Sequence, residues 1–518
     1  MARSLAVVFG TGISTLLLLS GCDAVNDCLR NGGCLNGIMT SGSAGGGGII
    51  DPMCVPSENA SPVGESCGVF VSSSGGDDAN DGTPSAPVKT LAKAIELATT
   101  SSTPVYACAE TFAEAVTLPA GSVLYGGLDC ANDWRYVGAT TKSALASKVD
   151  AAAVSQIALV LSDGAAKTRI EDIAVEAPDA TMPGGSSIAA LVYGGSVEFV
   201  RCELTAGNGT AGAKGETPSE SVGPSDPNDT TIRGGNGMSA CTGNMSGTQG
   251  GAGAVNMLCP QAVGGDGGMG KIVAGDKGGD GQPLPNPNPT NKGVGGYGDP
   301  GDDSGCNVGA PGKVGLTGTS GAGAVSLMPG VLTISGFLGA EGTAGKDGAP
   351  GQGGGGGGGA KGKLSCNGAS GGGGGAGGCG GRGGRGGQGG GASIALASVG
   401  ASVLLQDVKL TTGNGGDGGE GGEGQDGAIG GNGGNGGAGS GTLAACAGGQ
   451  GGQGGFGGKG GGGRGGPSVG IAFTGTGPAM EGGSITLGTP GKGGAGADVA
   501  GAGADGAKID TLEVSAPN

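Results

Sequence analysis

The chain has 518 residues, of which 136 are glycine and 25 proline, and only 3% are aromatic. Such a composition usually marks low-complexity sequence and excludes a widespread core of large side chains. A net charge of −17 argues against a nucleic-acid partner, and the absence of histidine excludes a Ser-His-Asp triad, a Cys-His dyad and an imidazole-ligated metal.

Residues 1–21 read as a secretory signal: Arg3 supplies a positive start, and Leu5 to Leu19 is apolar but short for a membrane span. The run ends in Leu19-Ser20-Gly21-Cys22. This resembles the bacterial lipobox, which implies lipid attachment at Cys22 and a membrane partner through that anchor. The expected location is the cell envelope, at the outer membrane or cell surface rather than the inner membrane. Thirteen further cysteines, an odd number, in an exported chain point to disulfides with at least one thiol left over; zinc is the competing reading, set aside because no CxxC pair and no histidine is present.

Residues 22–67 read as a stalk containing Cys28, Cys34, Cys54 and Cys67, with one or two local bridges. From residue 68 the texture changes. GVFV is a short strand, and Leu91, Ala94, Ile95 and Ala98 recur at helical spacing. The acidic cluster Asp77, Asp78, Asn80 and Asp81 reads as turn chemistry rather than a cation site. The pattern V-S-x-x-G-x-D-x-x-N-D-G-T-x-x-x-P-x-K-T-x-x-x-A-I within residues 68–129 resembles the opening module of bacterial surface proteins with a right-handed parallel β-helix, the pectate-lyase-like fold. The resemblance implies a short all-β solenoid with an N-terminal capping helix, residues 68–150 forming the opening module and 151–518 the coils.

Internal repeats follow. GGSSIAALVYGGSVEFVRCELTAGNG from Gly184 and GGASIALASVGASVLLQDVKLTTGNG from Gly390 align without a gap, half of their positions identical. A weaker copy starts at Gly465, and a fourth two-strand unit at Gly321. Ile188, Leu191, Val197, Phe199 and Leu204 match Ile394, Ala397, Val403, Leu405 and Leu410. Repeats of this kind bury their apolar side only by stacking on a neighbour. Small and β-branched residues suit a narrow interior. Roughly six coils at the strand spacing make a trunk about 30 Å long.

Glycine-rich blocks at about 207–320, 339–391, 413–466 and 488–507 begin where a repeat's second strand ends. They are expected as insertions at one corner of successive coils, with Gly-Gly-X runs able to adopt polyproline-II-like strands that pack closely. In composition they are similar to the repeat regions of some mycobacterial surface proteins. Cys241, Cys259, Cys306, Cys366, Cys379 and Cys446 lie within them. Proximity in sequence suggests Cys241 with Cys259 and Cys366 with Cys379, and Cys108 with Cys130 across stacked turns.

Chemical motifs are sparse. Polysaccharide lyases of the resembled fold use a calcium-binding carboxylate cluster and an Arg or Lys base. Here Arg169, Arg201, Glu171, Asp172 and Glu203 alternate as a solvated strand face would. GDGGMGKI (265–272) approaches a phosphate loop but has Ile272 where Ser or Thr binds Mg²⁺. Asp417, Asp426 and Asn435 keep the nine-residue step of a calcium β-roll, but Gly419, Ala428 and Gly437 stand where a large apolar residue fills the roll. Gly342, Gly345, Gly348 and Gly351 keep a period of three, too briefly for a collagen triple helix. The expectation is a non-enzymatic envelope lipoprotein without cofactor or metal. It would be structural or adhesive toward glycans, matrix or neighbouring cells, its oligomeric state left open. The alternative is a polysaccharide lyase or hydrolase.

Overall fold

The computed structural model describes residues 52–59, 61–242, 246–325 and 329–515. Cys22, Cys28 and Cys34 lie outside them. The described chain is built mostly of strands in parallel sheets, with one α-helix, α1 (Leu91–Ser101). Short strand β1 (Val69–Val71) precedes that helix. After it the chain makes six circuits, each contributing a strand to sheets I, II and III in turn. The first uses β2 (Val105–Cys108), β3 (Thr111–Phe112) and β4 (Val116–Leu118). The second uses β5 (Val123–Asp129), β7 (Ser143–Ala146) and β8 (Gln156–Leu161), with β6 (Arg135–Tyr136) antiparallel on β5. The third uses β9 (Thr168–Glu171), β10 (Ile173–Glu176) and β11 (Ser187–Tyr193).

The fourth circuit comprises β12 (Ser196–Val200), β13 (Glu203–Thr205) and, far along the chain, β16 (Ser393–Val399). The fifth comprises β17 (Ser402–Gln406), β18 (Lys409–Thr411) and β19 (Ser468–Thr474). The sixth comprises β20 (Ala479–Glu481), β21 (Ser484–Thr486) and β22 (Lys508–Glu513). The sequence repeats are the hydrogen-bonded neighbours: Ser187 faces Ser393, which faces Ser468, and Val197 faces Val403.

Sequence dictates this stacking through its columns of aliphatic side chains. Leu124, Ile170, Phe199 and Leu405 align on sheet I, and Leu145, Val175, Leu204 and Leu410 on sheet II. All are buried in one core, which α1 joins through Leu91, Ala94, Ile95 and Ala98. Thr90 caps α1 by accepting from the Lys93 N–H, and Ser102 ends it at φ 56°. Ile188 and Leu191 belong elsewhere: with Ile394, Ala397, Leu332 and Phe337 they form a second cluster rather than lining the narrow interior.

That second cluster corrects the expectation of a fourth coil unit near Gly321. Its two strands, β14 (Gly330–Thr333) and β15 (Gly336–Gly339), pair antiparallel with each other and join no parallel sheet. Flanked on both sides by glycine-rich strands, they find no circuit beneath them to extend. They cover sheet III instead, with Ser186 donating to the Phe337 carbonyl at 2.9 Å. Blocks 207–320 and 339–391 are therefore one insertion between β13 and β16. Three insertions, not four, leave the trunk, all between a sheet II strand and a sheet III strand.

The insertions are ordered. Their extended strands bond to one another with a three-residue period, the repeat of a polyproline-II helix. Gly342, Gly345, Gly348, Gly351, Gly354 and Gly357 donate to Gly387, Gly384, Gly381, Gly378, Gly375 and Gly372 at 2.8–2.9 Å. How many residues per triplet are glycine follows how many neighbours surround the strand. At the rim, Gly309, Gly312, Gly315, Gly318 and Gly321 face inward and the two residues between each pair mostly face out. Strand 413–438, with neighbours on more sides, follows Gly-Gly-X except at Gln425 and Ala428. At the centre, residues 371–376 donate in rotation to three strands: Gly371 to Gly268, Gly372 to Cys446, Gly373 to Gly235, and again around. There every position is glycine except Ala376, and residues 351–360 and 367–379 are buried throughout. A Cβ on Gly356 would fall on the carbonyl oxygen of Asp266.

This geometry sets the disulfides. Cys241 bonds Cys366, Cys259 bonds Cys379 and Cys306 bonds Cys446, each tying separate strands across 120–140 residues of chain. The local pairs suggested by sequence do not form. Cys366 and Cys379 bracket a single extended run that spans roughly 40 Å at about 3.1 Å per residue. Closing loops this long stabilises by about 4–5 kcal/mol each in the chain-entropy account. Cys108 bonds Cys130 and Cys54 bonds Cys67.

The close approach of backbones yields a sharp expectation. Gly356→Ala inserts a methyl group between two strands and should cost about 1–3 kcal/mol. Thr317→Ala, at an exposed rim position, should stay within about 0.5 kcal/mol of the parent. Chemical denaturation of both variants measures the difference.

Candidate functional site

Three features of the described residues combine polar chemistry with a defined geometry. The first lies on the outer face of sheet I. Register sets Phe70 beside Tyr106, Tyr106 beside Tyr125 and Tyr125 beside Glu171. The aromatic rings stack at 5.1 and 5.5 Å between centroids, with Trp134 edge-on to Phe70 at 4.8 Å. Residues 52–59 and 61–67, part of the stretch expected as stalk, pack here: Val55 and Val63 are buried in the same cluster, and Tyr106 donates to the Cys54 carbonyl at 2.7 Å.

Beyond the aromatics the ladder turns ionic. Glu171, Asp172 and Glu198 are buried, contrary to the expectation of a solvated face. Arg169 bonds Glu171 at 2.6 Å and also reaches Glu198, which Lys167 meets at 2.9 Å. Arg201 spans Glu171 at 2.9 Å and Asp172 at 2.8 Å. Lys142 lies 3.3 Å from Asp172, Tyr136 donates to Asp172 at 2.9 Å, and Ser57 donates to Glu171 at 3.2 Å. Three carboxylates are thus matched by four cations. Burial alone would raise the Glu198 carboxyl, but Lys167 and Arg169 hold it below the ordinary glutamate range. Burial would lower the Arg201 guanidinium, yet Asp172 and Glu171 push it well up. Each carboxylate in this network meets two cations, which suits a staple rather than an acid–base pair. Glu203 stands apart, half-exposed and paired with Lys409 at 3.0 Å.

The corner between sheets I and II explains why these residues meet. Asp172, Arg201, Asp407 and Gly482 follow directly on β9, β12, β17 and β20, with φ of 54°, 50°, 53° and 75°. A left-handed corner suits Asp and Gly; for Arg it costs about 1–2 kcal/mol, and the ion pairs of Arg201 offset that. Beside this corner is a shallow cleft of about 520 Å³ lined by Thr140, Thr141, Lys142, Arg201, Asp407 and Lys409, among others. Cys202 borders it but is buried in the core. Burial pushes its thiol up to about 12, so it stays protonated at neutral pH, and its Sγ lies 3.4 Å from the Val200 carbonyl. Tyr125 is likewise pushed up to about 12, by burial and then by Glu171.

The third feature is the surface of the glycine-rich bundle. Its polar X residues cap neighbouring strands. Asp266, Asp280, Asp347, Asp417 and Asp505 accept from the backbone N–H groups of Gly253, Gly295, Gly383, Lys492 and Gly493 at 2.7–2.8 Å. Asn208, Asn414 and Asn236 accept from Asn414, Thr489 and Asn435 in the same way. Asp417 is thereby occupied, and Asp426 sits nine residues away on the same extended strand, roughly 28 Å along it. The two cannot share a calcium ion. No group of three or more His, Cys, Asp or Glu side chains among the described residues is placed to hold a metal. The GDGGMGKI stretch is part of the bundle too: Gly265 and Gly268 donate to Gly354 and Gly357. The capping role escaped sequence reading, although acceptors recurring every third residue were its visible trace.

No helix among the described residues is long and apolar enough to cross a membrane. Comparisons with family models, with curated proteins and with solved structures find no match to this chain.

The ionic staple carries a pH signature. A carboxylate held below its unfolded value contributes stability above about pH 4.3 and loses it as pH falls through the folded value. Glu198→Gln should therefore be less stable than the parent at pH 7, and the gap should close toward pH 3. Denaturant midpoints across that range test it; a gap that stays constant with pH would refute the assignment.

Proposed function

We propose that this protein is a non-enzymatic, lipid-anchored envelope protein with a structural or adhesive role, in which a right-handed parallel β-helix holds a rigid glycine-rich platform. Parallel strands joined by crossovers are right-handed in about 98% of cases, which supports that hand for the six circuits. The lipobox-like Leu19-Ser20-Gly21-Cys22 supports an acylated Cys22 and an exported chain.

One observation carries the adhesive reading. Three insertions from one corner merge into a single bundle crossed by three disulfides, whose rim strands present side chains in columns roughly 9 Å apart along each strand. A pre-ordered array loses little entropy on binding an extended polymer, which favours repetitive ligands such as glycans or matrix chains. The rim offers mixed chemistry: Arg382 and Arg385 lie with Glu216, Glu220 and Asp347 around one shallow depression.

Two measurements test the proposal. Metabolic labelling with palmitate should mark the parent and not Cys22→Ser. A glycan and matrix array, run beside a reducing-sugar release assay with and without calcium, should show binding without turnover. Product release would overturn the non-enzymatic part, and silence across the array the adhesive part.

A further inference from the structure

The two ends of the stacked circuits differ. At one end α1 packs its buried face onto β1, β2 and β4 and closes the core. At the other, β20, β21 and β22 each pair on one side only among the described residues, with β17, β18 and β19. The sixth circuit therefore presents unpaired edges on all three sheets. Met480 and Ile485, which pack against the core from this circuit, are only partly buried. In β22 every residue except Leu512 is exposed.

We infer that this end is an interface for a second copy of the chain, joined end to end about a twofold axis through the middle of β22. The order of residues in that strand carries the inference. Lys508-Ile509-Asp510-Thr511-Leu512-Glu513 is complementary to itself when read antiparallel. Lys508 falls opposite Glu513 of the second copy, Ile509 opposite Leu512 of the second copy, and Asp510 opposite Thr511 of the second copy. Two cross-strand ion pairs and two apolar pairs result, each favourable in antiparallel sheets. The same axis sets β20 of one copy against β21 of the other, bringing Met480 toward Ile485 of the second copy. Charged residues on an edge strand usually prevent pairing; here their placement forbids a shifted register and admits a centred one. Because α1 blocks the opposite end, the described residues of each molecule present one such edge. The assembly closes as an isologous dimer and does not grow into a fibre.

Sedimentation velocity on the full chain carrying Cys22→Ser, so that no acyl group contributes, tests this. A dimer is expected, and Lys508→Glu should weaken it on the order of tenfold or more by placing like charges opposite each other. Lys508→Glu combined with Glu513→Lys should restore it, since the exchanged charges face each other again. A parent that stays monomeric at tens of micromolar overturns the inference. So does a dimer indifferent to Lys508→Glu, or one lost in the single variant and not recovered in the double.

Discussion

The bonds on which the insertions depend run from an N–H of one extended strand to a carbonyl of the next, at a separation only a missing Cβ permits. Glycine loses more conformational freedom on folding than any other residue. A glycine-rich chain therefore folds only if each ordered residue returns a contact. In this bundle it does, because interior residues donate in rotation to different neighbours. Hydrogen bonding and close backbone packing take over what apolar side chains do in the trunk.

The trunk and the bundle need each other for geometric reasons. Glycine strands have few side chains with which to choose partners, so register must come from outside. Stacked circuits provide it: strands leaving the same corner of the fourth, fifth and sixth circuits start in step. Gly209, Gly212 and Gly215 accordingly bond Asn414, Asp417 and Glu420 one circuit on, which in turn neighbour Thr489 and Lys492. Disulfides between strands and Asp or Asn caps on otherwise unpaired N–H groups then hold the register set at the corner.

Much of the trunk was legible because its signal is local and repeated. The match between the segments at Gly184 and Gly390 is the register of β11 on β16 and of β12 on β17. The failures have a common origin, which is that spacing along the chain does not report which surface a residue meets. Leu332 and Phe337 share the rhythm of the other repeats but lie among glycine strands, so they fold back as a hairpin over sheet III. Cys366 and Cys379 are close in sequence and far apart in space because the run between them is fully extended. Glu171 and Asp172 read as exposed polar residues; the packing of the segment around Ser57 and the left-handed corner bury them. In the bundle the information was present but unread, since glycine content per triplet records how many sides of a strand are covered.

The three-residue period also constrains how such a surface can vary over generations. Adding or deleting a whole triplet in a rim strand lengthens or shortens it while every side chain keeps its face. Gain or loss of a single residue rotates all that follows by about a third of a turn, swinging bulky groups into neighbouring backbones. Length variation among descendants of this gene should therefore come in multiples of one repeat, leaving the pattern of displayed groups to drift while the scaffold stays intact.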